Sequence, residues 1–478
     1  MQHSVIATDK SVTTRTASSW LAALGHAMAK YRGIILALQW LVVIGYALLV
    51  TIPAFLPLPG DAQHMWNNLT RAAQFLFWGI WWPFVMLSMM LMGRTWCGVF
   101  CPEGAITEWA SRHGLQGSIP HWIRWSGWPF VAFVSTTLFG QLISVYQYPK
   151  AALLILGGST VGAIVVGFLY GKNVRVWCRF LCPANGVFTL LAKLAPVHFG
   201  VNKQQWALAP HNTPAVDCPP ILDVQHKAGT GHCHSCGRCS GHRDAVNLQW
   251  RSTAQEVSEQ KITIHERVEI FTLLFGLLGV ALGAFQWSGS PWFVQLKQFA
   301  AWQVVEYGQL WLLNDNAPWW ILTHYPEAND VFTWLDGILI LFYISATTFF
   351  VGGWATAVLW LSTKIFLNDG ARFWRLAYSL TPLGGISVFL GLSMLTLTQL
   401  AQDRISVPYV SDLRALLLAI AVCWSLWLAH QLCRRWTLSR MQQIGVLAGV
   451  TIAMLPVLTL WSLQFFQWYL YHEATLTS

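Results

Sequence analysis

Charged residues are scarce in this chain. Only 10% of its 478 residues are Asp, Glu, Lys or Arg, whereas about 25% are charged in an ordinary soluble domain. Hydrophobic residues make up 55% of the chain and aromatic residues 14%. This composition excludes a soluble globular protein and predicts an all-α polytopic membrane protein, in which the hydrophobic span is the unit of organisation.

Several motifs of common enzymes are also missing. The sequence contains no phosphate-binding loop, no dinucleotide fingerprint beside a strand, no nucleophile elbow and no zinc-protease motif. Their absence argues against ATP-driven transport and against hydrolysis. The first 32 residues are polar and lack the apolar core and small-residue cleavage site of a secretory signal peptide, so we expect no cleaved leader.

Nine apolar stretches have the length of a bilayer span, which is about 20 residues. They cover 33–57, 72–93, 126–146, 151–171, 268–287, 331–366, 379–400, 412–433 and 443–470. The stretch 331–366 is too long for one straight crossing. We therefore expect it to tilt, to extend past the bilayer or to break near Gly352 and Gly353.

Basic residues are placed unevenly and exceed acidic ones by 29 to 20, giving a net charge of +9. Because positive loops stay on the cytoplasmic side, the basic segments orient the chain. The N-terminus is then cytoplasmic and, after nine spans, the C-terminus lies outside. No nucleic-acid partner is expected. Nearly all the Lys and Arg residues lie in 1–32, 94–124, 172–267, 364–375 and 434–440.

Four units follow from these spans: a cytoplasmic N-terminal segment (1–32), a four-helix membrane domain (33–196), a small cytoplasmic segment (197–265) and a C-terminal membrane domain (266–478). An external Trp-rich segment at 288–330 carries Lys297 and Glu306 within 291–313, which is typical of a helix at the bilayer interface. An apolar pocket there, with His324 and a carboxylate, could seat a quinol. An interface belt or a docking surface for a partner is the favoured interpretation.

Four of the ten cysteines belong to an internal repeat at the membrane edge. Residues 94–102 read RTWCGVFCP and residues 175–183 read RVWCRFLCP, at an offset of 81 residues. Each copy follows two spans, so the repeats should pack about an axis along the membrane normal and gather four thiolates. These suit a shared [4Fe–4S] cluster; a copper(I) site or no metal remains an alternative. The thiols are those of Cys97, Cys101, Cys178 and Cys182.

Arginines accompany both copies of this motif, at positions 94, 175 and 179. Their positive charge would lower thiolate pKa values and offset an anionic cluster. They could equally anchor helix ends at the lipid headgroups. The remaining pair, Cys423 and Cys433, lies in an apolar stretch and at its basic end, where we expect packing and no ligand role.

The segment His232–Cys239 reads HCHSCGRC and is the sharpest local signal. Three cysteines spaced C-x2-C-x2-C bind three corners of a [4Fe–4S] cluster, and a distant Cys-Pro supplies the fourth ligand. Cys218-Pro219 fits that role, so one cluster is predicted at Cys218, Cys233, Cys236 and Cys239. A structural zinc site is the weaker alternative. His232, His234 and His242 either donate hydrogen bonds to cluster sulfur or are solvated, and solvation is the favoured interpretation.

In this order the motifs resemble the NapH/NosR/CcoG-type group of bacterial membrane-bound 4Fe–4S ferredoxins. The resemblance covers residues 33–290 approximately. It implies a multi-pass protein of the bacterial inner membrane that moves electrons between the quinone pool or a cytoplasmic donor and a membrane or periplasmic redox partner. Members typically carry two complete C-x2-C-x2-C-x3-C-P motifs, whereas this chain has one triplet plus Cys218-Pro219 and several further spans.

We therefore expect an electron-transfer component of an oxidoreductase complex, with two [4Fe–4S] clusters that exchange electrons. The C-terminal spans would carry a quinone or dock an integral partner. The competing hypothesis is a membrane cupric reductase or copper-handling protein that uses the two C-x3-C-P pairs as its copper site. A third is a transporter whose clusters only sense redox state.

Overall fold

The computed structural model of the chain describes residues 19–60, 62–210, 213–226, 229–258, 263–405 and 407–476. Residues 1–18 of the expected N-terminal segment lie outside this range. In chain order the helices are α1 (Ser19–Lys30), α2 (Arg32–Phe55), α3 (Leu69–Met92), α4 (Thr95–Val99), α5 (Pro102–His113), α6 (Trp128–Leu142), α7 (Pro149–Leu169), α8 (Val176–Phe180), α9 (Asn185–Ala192), α10 (Lys203–Leu208), α11 (Ala254–Val257), α12 (Ile264–Gly289), α13 (Pro291–Glu306), α14 (Trp334–Leu367), α15 (Gly370–Gln402), α16 (Val410–Arg435) and α17 (Arg440–Leu476). Two antiparallel hairpins pair β1 (Val197–Val201) with β2 (Val246–Trp250) and β3 (His324–Tyr325) with β4 (Asp330–Val331).

The protein is an all-α polytopic membrane protein, as predicted. Among the described residues, eight helices are long and apolar enough to cross a bilayer: α2, α3, α7, α12, α14, α15, α16 and α17. The remaining predicted span, at 126–146, is wrong in length. Its helix α6 has 15 residues, or about 22 Å, against a hydrocarbon core of about 30 Å.

Helix α6 is short because the chain turns at Ser144, whose φ is +50°. It nevertheless connects the two ends of the bundle. Near its start, Pro129 packs beside Gly186, just after the second cysteine motif. At its end, the carbonyl oxygen of Leu142 accepts a hydrogen bond from the amide of Thr323, at the other end of the bundle.

The long helix α14 runs unbroken over 34 residues, or about 51 Å. The alternative of a break near Gly352 and Gly353 is therefore wrong. Gly352 instead permits close packing, because a Cβ at that position would lie 3.0 Å from the carbonyl oxygen of Leu274 on α12 and 2.7 Å from the Phe275 ring. The glycine that suggested a break is instead a point of contact between α14 and α12.

The two ends of the bundle differ in character. The cysteine face carries residues 94–101, 175–182 and the 197–258 segment; the opposite face carries 58–68, 143–148 and 288–333. On the cysteine face, strands β1 and β2 pair in register from Val197 with Trp250 to Val201 with Val246. Helix α1 packs on this hairpin through Leu21 and Met28, so residues 19–30 form one unit with the 197–258 segment.

On the opposite face, helix α13 forms within the Trp-rich segment. Its Trp292 and Trp302 side chains are 54% and 59% exposed, and its position at the bilayer interface stays a prediction. Lys297 forms a 2.5 Å ion pair with Asp336 at the start of α14. The pocket expected around His324 stays a prediction.

The β3–β4 hairpin closes the same face. Tyr325 stacks on Tyr148 with ring centroids 3.6 Å apart, and the Tyr148 hydroxyl donates a 2.7 Å hydrogen bond to Asp330. These contacts fix the turn that follows α6.

The C-terminal helices bury their own core. Trp461 of α17 is fully enclosed, and its indole N–H donates a 2.7 Å hydrogen bond to the Ser387 hydroxyl of α15. Cys433 lies in this core and Cys423 on the exposed side of α16. Both positions suit packing residues.

Candidate functional site

The duplicated motifs fold in the same way. In each copy a five-residue helix, α4 or α8, holds the first cysteine. The amides of the second cysteines, Cys101 and Cys182, donate 2.9 Å hydrogen bonds to the carbonyl oxygens of Trp96 and Trp177. A second helix then leads back to the cysteine face. The internal repeat read from the sequence is thus a structural repeat.

Both motifs fold back into the helix bundle, whereas the sequence analysis placed them at the membrane edge. Trp96 packs on Trp81 with ring centroids 5.1 Å apart, and Trp81 stands eleven residues, or about 16 Å, before the end of α3. Trp177 packs beside Gly162 in the middle of α7. Such re-entrant backbone is tolerated at bilayer depth because protein, and not lipid, surrounds it.

The re-entrant motifs bring the four predicted thiols together. Cys97 and Cys178 are buried, and only 5% and 6% of their surface is exposed. Cys101 and Cys182 line one cavity. The thiol of Cys178 lies close enough to the other three to interact electrostatically with each. Four neighbouring thiols, two of them buried, cannot all ionise without a compensating cation, so this donor set fits a metal cluster that supplies positive charge.

Two buried arginines cross between the copies. Arg94 of the first copy donates hydrogen bonds to Asn185 (2.8 Å) and Thr189 (3.3 Å) on α9. Arg175 of the second copy donates to the carbonyl oxygen of Cys97 (2.6 Å) and to Glu108 on α5 (2.9 Å). Their exposures are 2% and 1%. The headgroup-anchor interpretation is therefore wrong for both residues, which join the repeats.

The triplet segment docks directly on the duplicated motifs. The amide of Arg175 donates a 2.8 Å hydrogen bond to the carbonyl oxygen of Pro219, so the Cys218-Pro219 turn is attached to the second motif. Gly98 of the first motif meets the backbone of His234 and Cys236 so closely that a Cβ there would be 2.9 Å from Cys236 Cα. The two predicted cysteine sets are therefore in backbone contact.

Glu108 was not predicted, yet it joins three cysteine-bearing segments. It is 4% exposed and forms ion pairs with Arg112 and Arg238, both at 2.5 Å, and with Arg175 at 2.9 Å. Burial alone would raise its pKa, but the nearby Arg175, Arg238 and Arg112 hold the pKa of Glu108 at about 2. Arg238, which stands between Cys236 and Cys239, also pairs with Asp217 at 3.2 Å.

The histidines around the triplet occupy different environments. His234 is 1% exposed, so its interpretation as a solvated residue is wrong. His232 lies 3.8 Å from Glu269, and His242 packs against Trp206. Within the described ranges, no three His, Cys, Asp or Glu side chains are grouped tightly enough to hold a single metal ion. A cubane differs from a single-ion site, because each of its thiolates binds a separate iron.

An apolar cavity of about 240 Å³ opens beside Cys101 and Cys182. Aromatic residues of the π-helical turns Phe75–Trp81 and the motif residue Trp96 line it. π-helical turns recur at functional sites. One carboxyl group, Glu103, reaches this cavity, and it accepts hydrogen bonds from Ser159 (2.6 Å) and the Trp177 indole (3.0 Å). Neither this cavity nor the role of Glu103 was predicted from the sequence.

Comparison with known families identifies the duplicated motifs. Residues 74–126 and 153–202 match a family described as a 4Fe-4S binding domain. Both C-x3-C-P pairs lie within the matched residues. The match ends before Cys218, so it does not include the triplet segment.

Among curated proteins, the chain is similar to YccM of Escherichia coli (strain K12), which is provisionally named an electron transport protein. The two are 18% identical over 231 residues, which is 43% of this chain and 64% of YccM. The similarity thus spans just under two thirds of that relative. No solved structure matches the chain.

We expect Gly98→Ala to separate the triplet segment from the first motif. Its Cβ would press on backbone atoms of His234 and Cys236, which cannot move aside as a flexible side chain can. Overpacking of this kind costs about 1–3 kcal/mol. A lowered Tm of the full-length protein would show this effect. Gly158→Ala, where nothing lies within 4 Å, is the control; equal Tm values would contradict the contact.

We expect Glu108→Gln to be severely destabilising. The substitution leaves the buried Arg175 guanidinium without its carboxylate, and breaking a buried ion pair in this way costs about 3–5 kcal/mol. Thermal unfolding of the full-length protein should shift to lower temperature, with loss of bound iron. Glu306→Gln on the exposed end of α13 removes the same charge and should change neither quantity. Full stability of Glu108→Gln would show that this carboxylate does not join the segments.

Proposed function

We propose that this protein relays electrons through two [4Fe–4S] clusters. Cys97, Cys101, Cys178 and Cys182 would hold the first cluster, and Cys218, Cys233, Cys236 and Cys239 the second. The observation that carries the proposal is the 4Fe-4S binding domain match over both duplicated motifs, whose four thiols lie together in the fold. The backbone contact at Gly98 supports transfer between the clusters, because it keeps the two cysteine sets adjacent.

We propose further that the aromatic cavity binds a quinone. Its walls are apolar, and Glu103 provides one proton-accepting group beside Cys101. Oxidation of a quinol to a quinone releases two electrons and two protons. Each cluster would take one of the two electrons, Glu103 would receive one proton, and the second proton would pass to solvent water. The reverse steps would reduce a quinone.

The proposed setting is the bacterial inner membrane, with the cysteine face towards the cytoplasm and the C-terminus outside. The excess of Lys and Arg on segments of the cysteine face supports this orientation. The resemblance to the NapH/NosR/CcoG-type group supports a membrane or periplasmic redox partner. The exposed aromatic side chains of α13 offer a surface for lipid or for such a partner.

Metal analysis and cysteine substitution test the two-cluster assignment. Protein purified without oxygen should contain about eight iron and eight sulfide ions per chain, since each cubane has four of each. The double substitution Cys97→Ser and Cys178→Ser should remove one EPR signal and leave the other. Cys423→Ser with Cys433→Ser is the matched control and should leave both. About four iron with stoichiometric copper would favour the copper-handling hypothesis, and zinc without sulfide would exclude the relay.

Glu103→Gln tests the quinone site. The amide keeps the size of the side chain and can still accept from Trp177, but it cannot take up a proton. We expect reduction of the clusters by decylubiquinol, followed by anaerobic stopped-flow absorbance, to slow about 100-fold. Reduction by dithionite should be unchanged, and Glu306→Gln should behave as wild type. If the wild-type clusters do not react with the quinol, the quinone proposal fails while the relay stands.

A further inference from the structure

His234 is enclosed where the triplet segment meets the duplicated motifs. It is 1% exposed, and neither ring nitrogen has a hydrogen-bond partner. Its own carbonyl oxygen faces Gly98. The guanidinium groups that act electrostatically on the ring belong to Arg94, Arg175 and Arg179, all from the duplicated motifs. The ring therefore lies between the two cysteine sets.

No described protein atom accepts a hydrogen bond from either ring nitrogen of His234, and the charged groups that act on the ring include three guanidinium groups. Guanidinium groups only donate hydrogen bonds, whereas imidazole has at least one N–H in either protonation state. Buried polar groups in native proteins almost always have a partner. The missing acceptor must therefore be something other than the described protein atoms. Cluster sulfur is an acceptor, and four cysteine ligands of a proposed cluster belong to the same motifs as the three arginines.

We propose that His234 donates a hydrogen bond to a sulfur of the cluster held by Cys97, Cys101, Cys178 and Cys182, and so raises the reduction potential of that cluster. This inference rests on the two-cluster relay proposed above. Reduction adds negative charge to the cluster, so a donor at its sulfur stabilises the reduced state more than the oxidised state. His234 would then make the duplicated-motif cluster a better electron acceptor at its junction with the triplet segment.

Potentiometric titration of the full-length protein, followed by EPR, measures this effect. In His234→Leu we expect the ratio of reduced to oxidised cluster at a fixed potential to fall about tenfold, which is about 59 mV for a one-electron couple. The signal that shifts should be the one lost in the Cys97→Ser and Cys178→Ser protein. His234→Gln keeps an N–H and should restore most of the potential. His226→Leu, whose side chain is 72% exposed, is the control and should shift neither signal.

A second readout detects the hydrogen bond itself in the wild-type protein. In wild-type protein labelled with ¹⁵N-histidine, pulsed EPR of the reduced duplicated-motif cluster should show a ¹⁵N coupling that is absent from His234→Gln. No such coupling in the presence of both cluster signals would overturn the inference. Equal shifts of the reduction potential in His234→Leu and His234→Gln would also overturn the inference, as would a shift confined to the triplet cluster. Absence of both signals in the wild-type protein would instead refute the two-cluster relay.

Discussion

One buried carboxylate determines how the cysteine-bearing segments meet. Glu108 follows Cys101 on α5 and pairs with Arg175, just before Cys178, and with Arg238, between Cys236 and Cys239. Withdrawing charges from water costs several kcal/mol per ion, so this group is stable only when its partners are all in place. A displacement of any one segment would leave a buried charge unpaired. The ion-pair cluster therefore favours a single arrangement of the two cysteine sets.

The crossed arginines give the repeat its symmetry. Arg94 bonds Asn185 and Thr189, while Arg175 lies against Gly104 and bonds Glu108. Asn185 and Thr189 stand ten and fourteen residues after Arg175. Gly104 and Glu108 stand ten and fourteen residues after Arg94. Each copy thus completes the polar interior of the other, and neither hairpin could bury its arginine alone. This mutual dependence explains how irregular, re-entrant backbone is maintained inside an otherwise apolar bundle.

Much of the architecture could be predicted from the sequence because long apolar runs and cysteine spacing are local signals. The eight spanning helices, the repeat and the approach of its four thiols followed from them. The depth of the motifs did not, since it depends on Trp96 and Trp177 folding back onto the helices that precede them, at Trp81 and Gly162. The roles of Glu103 and Glu108 also arise only in the fold. The wrong predictions for α6 and α14 share a cause, because a hydrophobic run gives only the length of an apolar segment. Ser144 ends α6 through its backbone conformation, and Gly352 allows α14 to pack closely against α12.

The differences between the copies matter as much as their likeness. At equivalent positions, the first copy has Gly98 and Glu103 where the second has Arg179 and Ala184. Gly98 lets the triplet segment approach Cys97, and Glu103 borders the cavity beside Cys101. Both proposed neighbours of the shared cluster, the second cluster and the quinone, therefore contact residues of the first copy that have no counterpart in the second copy. The second copy contributes Cys178, Cys182 and the positive charge of Arg179. In the proposed relay, duplication supplies the ligand set, and the differences between the copies at Gly98 and Glu103 distinguish the contact with the second cluster from the contact with the quinone.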